Sequence, residues 1–337
     1  MSPTVLFIIF VNHMPSFLSN KCKLFADDLK LYLKVRHSSA QQLATDLSSC
    51  QQDIDVLNRA AKSCGLVFNS DKCVTLRFCR GNPDLSSVGS LSTYNMEGID
   101  LVGVDSCRDL GVIVDSSFKF HAHVRNIVAK ASGLSNNLLR STLSRSPEFM
   151  ISVNLAHIRP LMEFASVVWN AGYVGDNKLL ESVQRRWTRQ IDGLGHLSYE
   201  ERLVSLNLYS VKGRLLRADL IKYFKIFSGL SVISPSDLFQ LSPAAYTRGH
   251  CFKIFKPHVS LEARRRFFSV RCLDVWNSLP GEVVGCGPVV LWMFLRGGCT
   301  WFWGLDCSSL MSRCAGFMVL LSSMIFTDVV SLGYRFI

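Results

Sequence analysis

The chain has 337 residues, 48% of them hydrophobic and 19% charged, which allows two or three folded domains and excludes a chain that stays disordered. Thirty-seven Lys+Arg against 26 Asp+Glu give a formal charge of +11, a balance suited to a polyanionic partner. The twelve cysteines are scattered without a Cys-x-x-Cys pair, so they read as small apolar residues in a reducing, intracellular setting. A secreted disulfide scaffold or a zinc module would space them differently.

Taken in chain order, Val5 to Val11 is an apolar run too short to span a membrane and without the basic flank of a signal peptide. It reads as a buried strand or helix piece. Lys21 to Val35 reads as a β-hairpin turning at Ala26-Asp27-Asp28. In it Leu29, Leu31, Leu33 and Val35 alternate with Lys30, Tyr32 and Lys34, which predicts one buried and one wet face. Ala40 to Ser63 predicts a helix, with Leu43, Leu47, Cys50, Ile54, Leu57 and Ala61 in one stripe, Ser39 and Gln42 resembling a capping box, and Gly65 as the stop. Leu66–Phe68 and Val74–Phe78 read as strands around the polar turn Asn69-Ser70-Asp71-Lys72, and Arg80 to Ser92 as loop. Leu110–Val114 and Phe118–Phe120 predict a second hairpin around Asp115-Ser116-Ser117. His121 and His123 would share a face if that segment is extended, with no cysteine close by.

From about Val124 the pattern turns helical. Residues 120 to 230 hold 15 Lys+Arg and 8 Asp+Glu. Leu180, Val183, Trp187 and Ile191 make an apolar face, with Arg185, Arg186 and Arg189 on others. Val211–Phe227 repeats the theme with Arg214, Arg217, Lys222 and Lys225. These basic residues read either as a polyanion-binding surface or as ordinary solvated helix faces, and Trp187 and Trp276 read as core. Ser231 to Ser260 reads as a Pro/Ser-punctuated linker. Arg264-Arg265-Arg266-Phe267-Phe268 then leads into a short amphipathic helix ending at Trp276-Asn277-Ser278-Leu279-Pro280. After Val284 charge almost vanishes, and Cys314 to Phe326 is about half the usual membrane-spanning length.

Phe25-Ala26-Asp27-Asp28 carries the chemistry. A two-metal polymerase needs carboxylates held rigidly within reach of two Mg²⁺ ions about 4 Å apart, and a tight turn between anchored strands presents neighbouring acids in that way. An Asp-Asp turn alone is a weak signal, because Asp is common in turns of every kind. The surroundings extend it. Asn12-His13-Met14-Pro15 after the apolar run, Asn69-Ser70-Asp71-Lys72-Cys73, Leu110-Gly111-Val112-Ile113-Val114-Asp115 with Phe118 to Val124, and Arg271 followed by Trp276-Asn277-Ser278-Leu279-Pro280 occur in order and at suitable spacing. Together, over about residues 2 to 284, they resemble the reverse transcriptases of non-LTR (LINE-type) retrotransposons.

That resemblance implies an α+β fold. A partial polymerase palm, an antiparallel sheet with a packed helix, would occupy 1–123, a helical thumb-like region 124–230 and an element-specific segment 231–284. Residues 285–337 form an apolar tail foreign to the family. It implies Asp27 and Asp28 as ligands of Mg²⁺ and Lys72 beside the triphosphate, where it could protonate the pyrophosphate leaving group. Arg185, Arg186, Arg189, Arg214, Arg217 and Lys222 would grip the backbone of an RNA template and DNA primer, with dNTP as the small-molecule substrate. The family places a further catalytic Asp on an earlier strand, and residues 1–26 contain no acid. The expectation is therefore an RNA-directed DNA polymerase fragment without activity alone. The alternatives are a non-catalytic nucleic-acid-binding remnant and a protein held at a membrane by its tail.

Overall fold

The computed structural model describes residues 9, 11–26, 28–35, 39–78, 93–242, 250, 252–281, 284 and 327–335. Helix and sheet are both present, as an α+β fold requires. The chain divides into two compact units, Met1–Phe118 with Ser323–Ile337, and Lys119–Ser322. This differs from the expected division in two ways. The segments 124–230 and 231–284 fold together, and the end of the tail belongs with the N-terminal residues.

In the first unit, strands β1 (Lys21–Phe25) and β2 (Asp28–Leu33) form the expected hairpin, with Cys22 opposite Leu31 and Leu24 opposite Leu29. Helix α1 (Ala40–Ser63) has the expected bounds, and the Ser39 side chain accepts a hydrogen bond from the Gln42 backbone N–H at 3.1 Å. Its apolar stripe buries Leu47, Cys50, Ile54, Leu57 and Ala61 in one core with Leu29, Leu31 and Leu33 of β2. Burial of each large aliphatic side chain contributes roughly 1.5–3 kcal/mol. The other face of β2 is not wet. Lys30 and Tyr32 are buried as well, because Lys30 is ion-paired to Asp109 from a hairpin far along the chain.

Short strands β3 (Val67–Phe68), β4 (Val74–Phe78), β5 (Asn95–Met96), β6 (Ile99–Asp100) and β7 (Val102–Val104) follow, then β8 (Ser106–Asp109) and β9 (Val112–Asp115). The second hairpin is β8–β9, with Asp109 opposite Val112. It turns at Leu110 (φ 44°) and Gly111 (φ 91°), two left-handed residues matching a two-residue hairpin turn. The expected turn at Asp115-Ser116-Ser117 exists locally, with the Asp115 carboxylate accepting from the Ser117 N–H at 3.0 Å. It leads into a helix instead of a strand.

The main sheet runs β1-β2-β10-β4-β7, where β10 is Thr327–Arg335. β10 is antiparallel to β2 and β4, and its last residues pair with β3; β4 and β7 are parallel. A nine-residue stretch of the expected foreign tail is thus a central strand. The apolar segment Cys314–Phe326 lies outside the described residues.

One buried acid fixes where β1 begins. Asp53, on the core side of α1, is 3% exposed. It accepts from the backbone N–H groups of Ser19 (2.9 Å) and Asn20 (2.8 Å) and from the Asn20 side-chain amide (2.8 Å). Alanine there would strand these donors, so Asp53→Ala is expected to cost about 3 kcal/mol. Asp55→Ala, on the exposed face, should cost under about 0.5 kcal/mol. Urea denaturation of the two variants checks the contrast, and equal midpoints would refute it.

The second unit is helical. α2 (His121–Ser141) starts three residues before the expected point. α3 (Pro147–Val153) continues through a π-helical turn, Asn154–Ile158, into α4 (Arg159–Glu163). Then come α5 (Ser166–Trp169), α6 (Val174–Thr188), α7 (Tyr199–Ser205), α8 (Val211–Phe227), α9 (Pro235–Leu238), α10 (Glu262–Arg265), α11 (Phe268–Arg271) and α12 (Leu273–Ser278). The expected linker 231–260 is in part packed. Ile233, Leu238, Phe239 and Ile254 are buried in one cluster with Tyr223, Phe224, Phe268 and Trp276. The Trp276 indole N–H donates to the Phe252 carbonyl at 2.9 Å. The Asn277 amide exchanges two bonds with the Ile254 backbone, at 2.9 and 2.8 Å. The Trp-Asn-x-Leu-Pro signature is thus a clasp on the strap that crosses it.

Candidate active-site hairpin and basic helix face

The β1–β2 hairpin closes on the pair Phe25–Asp28, so its turn is Ala26-Asp27, tighter than the three-residue turn expected. Asp28 begins β2 and is half-buried; Asp27 lies outside the described residues. Ala26 stands at φ 51°, a left-handed conformation that costs an L-residue roughly 1–2 kcal/mol. Ala26→Gly should therefore stabilise the hairpin by about 1 kcal/mol after the extra flexibility of the unfolded chain is counted. A thermal melt reads this, and a lowered midpoint would contradict it.

Strand β10 places Gly333 opposite Asp28. On its other edge, Ser331 pairs with Val74 and Tyr334 with Phe68. The 3₁₀ turn Ser70–Lys72, which joins β3 to β4, therefore lies beside Leu332 and Gly333. Lys72 is exposed and comes to the same end of the sheet as Asp28. One strand separates them, about 10 Å at ordinary strand spacing. Two residues from separate motifs are gathered here by topology.

Among the described residues, the acids that topology brings to this end of the sheet are Asp28 and, on the 3₁₀ turn that carries Lys72, Asp71. The strand beside Asp28 offers Gly333, and its one acid, Asp328, pairs with Leu33 at the far end of β2. Five residues of strand put that position about 17 Å away. Among the described residues no group of three or more His, Cys, Asp or Glu could hold a metal. His121 and His123 stand in the first turn of α2 and do not converge. The His121 Nδ1 contacts the Asp176 carboxylate at 2.8 Å, whereas His123 is buried against Trp169.

Of the six basic residues expected to meet nucleic acid, Arg185, Arg186 and Arg189 are exposed. Arg214 and Lys222 are a correction, since both are buried. Arg214 is ion-paired to Glu163 and bonds Gln184 and the Tyr209 carbonyl, while the Lys222 ammonium donates to Ser231 at 3.1 Å. Arg217 is half-buried, and its Nε lies inside the protein. On α8 the amphipathic pattern misleads because that helix has neighbours on several sides, and Arg214 and Lys222 serve as internal donors.

On α6 and its C-cap residue Arg189, at 100° per residue, Lys178, Arg185 and Arg189 fall within about 40° of one another, over roughly 16 Å of rise. Arg186 lies further round and donates to Ser132 of α2 at 2.7 Å. The Arg185 guanidinium lies over the Tyr199 ring, 4.5 Å from its centre, and this contact limits its freedom. Lys178 was missed by sequence reasoning, although its spacings of seven and eleven to the arginines were readable. Arg125, one helical face with Ser132 on α2, is also exposed. The buried Trp187 donates its indole N–H to the Met150 carbonyl at 3.1 Å, and Trp276 is 0% exposed. Neither is a stacking platform. No helix among the described residues is long and apolar enough to cross a membrane. No family model matches the chain, and neither the curated proteins nor the solved structures include a significant match to it.

Proposed function

We infer that this chain is a nucleic-acid-binding protein of reverse-transcriptase descent that does not polymerise on its own. The observation carrying the binding role is the row of exposed Lys178, Arg185 and Arg189 along α6, with Arg186 beside it. At about 3.4 Å per nucleotide along a strand, a 16 Å row faces several successive phosphates. Guanidinium groups on a rigid helix hold phosphates without reading bases. The partner is thus the sugar-phosphate backbone, in family terms an RNA template with its DNA primer.

The descent rests on the ordered motifs, and the meeting of Asp28 and Lys72 at one sheet end supports it. The lack of polymerisation is read from the described residues of the sheet, where a glycine faces Asp28 and no group of three or more metal-ligating side chains gathers. Primer extension with the purified chain, a primed RNA template, all four dNTPs and Mg²⁺ or Mn²⁺ is expected to give no product above a no-protein control. Templated synthesis that disappears in Asp28→Asn would overturn this reading. A membrane role through the tail draws no support from β10, which is sheet-paired on both edges.

A further inference from the structure

Strand β10 is what joins β2 to β4 in the main sheet. Six of its residues pair with β2, from Asp328–Leu33 to Gly333–Asp28, and five pair with β4, from Thr327–Phe78 to Ser331–Val74. Without it the sheet separates into the β1–β2 hairpin and the β4–β7 pair, each with an open edge of backbone N–H and C=O groups facing a strand-wide slot. Such edges are templates for an incoming strand. All of its partner strands lie within the first 78 residues, and residues 119–322 fold as a separate unit in between.

Two consequences follow for an assembling chain. Closing so long a loop carries an entropic cost that grows with its length, so the tethered strand reaches its slot at a modest effective concentration. The slot also stays open until Thr327–Arg335 arrives, and during that time another copy competes on equal contacts. The strand pairs identically whichever chain it comes from, the condition under which exchange of an element between protomers costs little. The occupant is this chain's own sequence, with the register already specified. We propose that β10 is exchangeable: the slot between β2 and β4 accepts Thr327–Arg335 of a second copy, joining two chains reciprocally.

The register supplies the test. Arg77 of β4 stands opposite Asp328 of β10, and directly opposed residues in an antiparallel pair have Cα atoms about 4.5–5.5 Å apart, within disulfide reach. Full-length Arg77→Cys and full-length Asp328→Cys chains, differently tagged, are refolded together and mildly oxidised, and linked peptides are mapped by mass. The expected result is a disulfide joining position 77 of one chain to position 328 of the other. It should be absent when either variant refolds alone and should rise several-fold for a tenfold rise in refolding concentration. An excess of synthetic peptide spanning Thr327–Ile337 should suppress it, and a scrambled peptide should not. A chain carrying both substitutions that links 77 to 328 internally, with no intermolecular link at any concentration, overturns the proposal. Failure of the doubly substituted chain to link at all overturns it too, because the register then does not hold.

Discussion

Replacing Arg271 by alanine is expected to destabilise the second unit by about 3–5 kcal/mol, a large share of the roughly 5–15 kcal/mol that holds a domain together. Arg271 donates through Nε and Nη2 to both oxygens of Asp219, at 3.0 and 2.6 Å, and through Nη2 to the Val167 carbonyl at 2.9 Å. Cys272 adds a thiol donor to the same carboxylate at 3.2 Å. The ion pair therefore ties α8 to α11 and α5. Its side chains are 10% and 1% exposed, so alanine at 271 leaves a buried carboxylate without its counter-ion.

Burial already pushes the Asp219 carboxyl above its ordinary value, and Arg271 is the main force drawing it back down. Without the arginine the carboxyl rises further. A carboxyl whose folded value lies above its unfolded value holds its proton more tightly in the fold. Its contribution then is present in full below the unfolded value and is lost as pH rises through the folded value. The deficit of Arg271→Ala should therefore narrow towards acidic pH, and Asp219→Asn in the same chain should recover part of it. Thermal denaturation should show a midpoint lower by about 10 °C at neutral pH. A loss under about 1 kcal/mol, or one independent of pH, would mean that the pair is solvated.

The second large effect is on binding. Changing Arg185, Arg186 and Arg189 together to alanine is expected to weaken nucleic-acid affinity about a hundredfold near 0.1 M salt. It should also flatten the dependence of log affinity on log salt by roughly 2–3 units, about one for each phosphate that is no longer neutralised. Stability should change little, because all three side chains are exposed. Arg214→Ala should do the reverse, since it breaks the pair with Glu163: it should lower stability and, in the fraction that remains folded, leave the salt slope intact. Fluorescence anisotropy with a labelled primed RNA–DNA duplex, titrated at several salt concentrations, separates the two. Unchanged affinity in the triple variant would remove α6 from the binding surface.

Local pattern made some of this legible and long-range pairing made the rest opaque. The stripe from Leu43 to Ala61 and the Ser39 cap determine α1 almost by themselves, since helix periodicity and capping act within a few residues. The β1–β2 hairpin is legible for the same reason. The wet face expected for β2 was not found, because the partner of Lys30 is Asp109, which no nearby residue announces. The second hairpin was displaced because Asp115-Ser116-Ser117 carries turn chemistry as strong as that of Leu110-Gly111, and only pairing decides which turn joins two strands. The proline and serine between 231 and 260 hid a strap whose hydrophobic residues pack around Trp276.

At the candidate site, Asp28 and Lys72 could be nominated from their motifs, but their sharing one end of the sheet depends on β10, which nothing in the tail's composition foretold. The buried arginine of α8 shows the limit from the other side. A helical wheel reports where a cation points and is silent on what stands there.

The place of β10 also bears on how damage to a gene for this chain would read out. A stop codon within Thr327–Arg335 would spare every residue of the second unit, Lys178, Arg185 and Arg189 included, yet would remove the middle strand from a sheet whose other strands are encoded first. Such alleles should phenocopy lesions near the Asp27-Asp28 turn and leave the proposed backbone binding by α6 intact. Genetic severity along this chain would then be ordered by sheet position, with codons 330 and 31 adjacent on that scale.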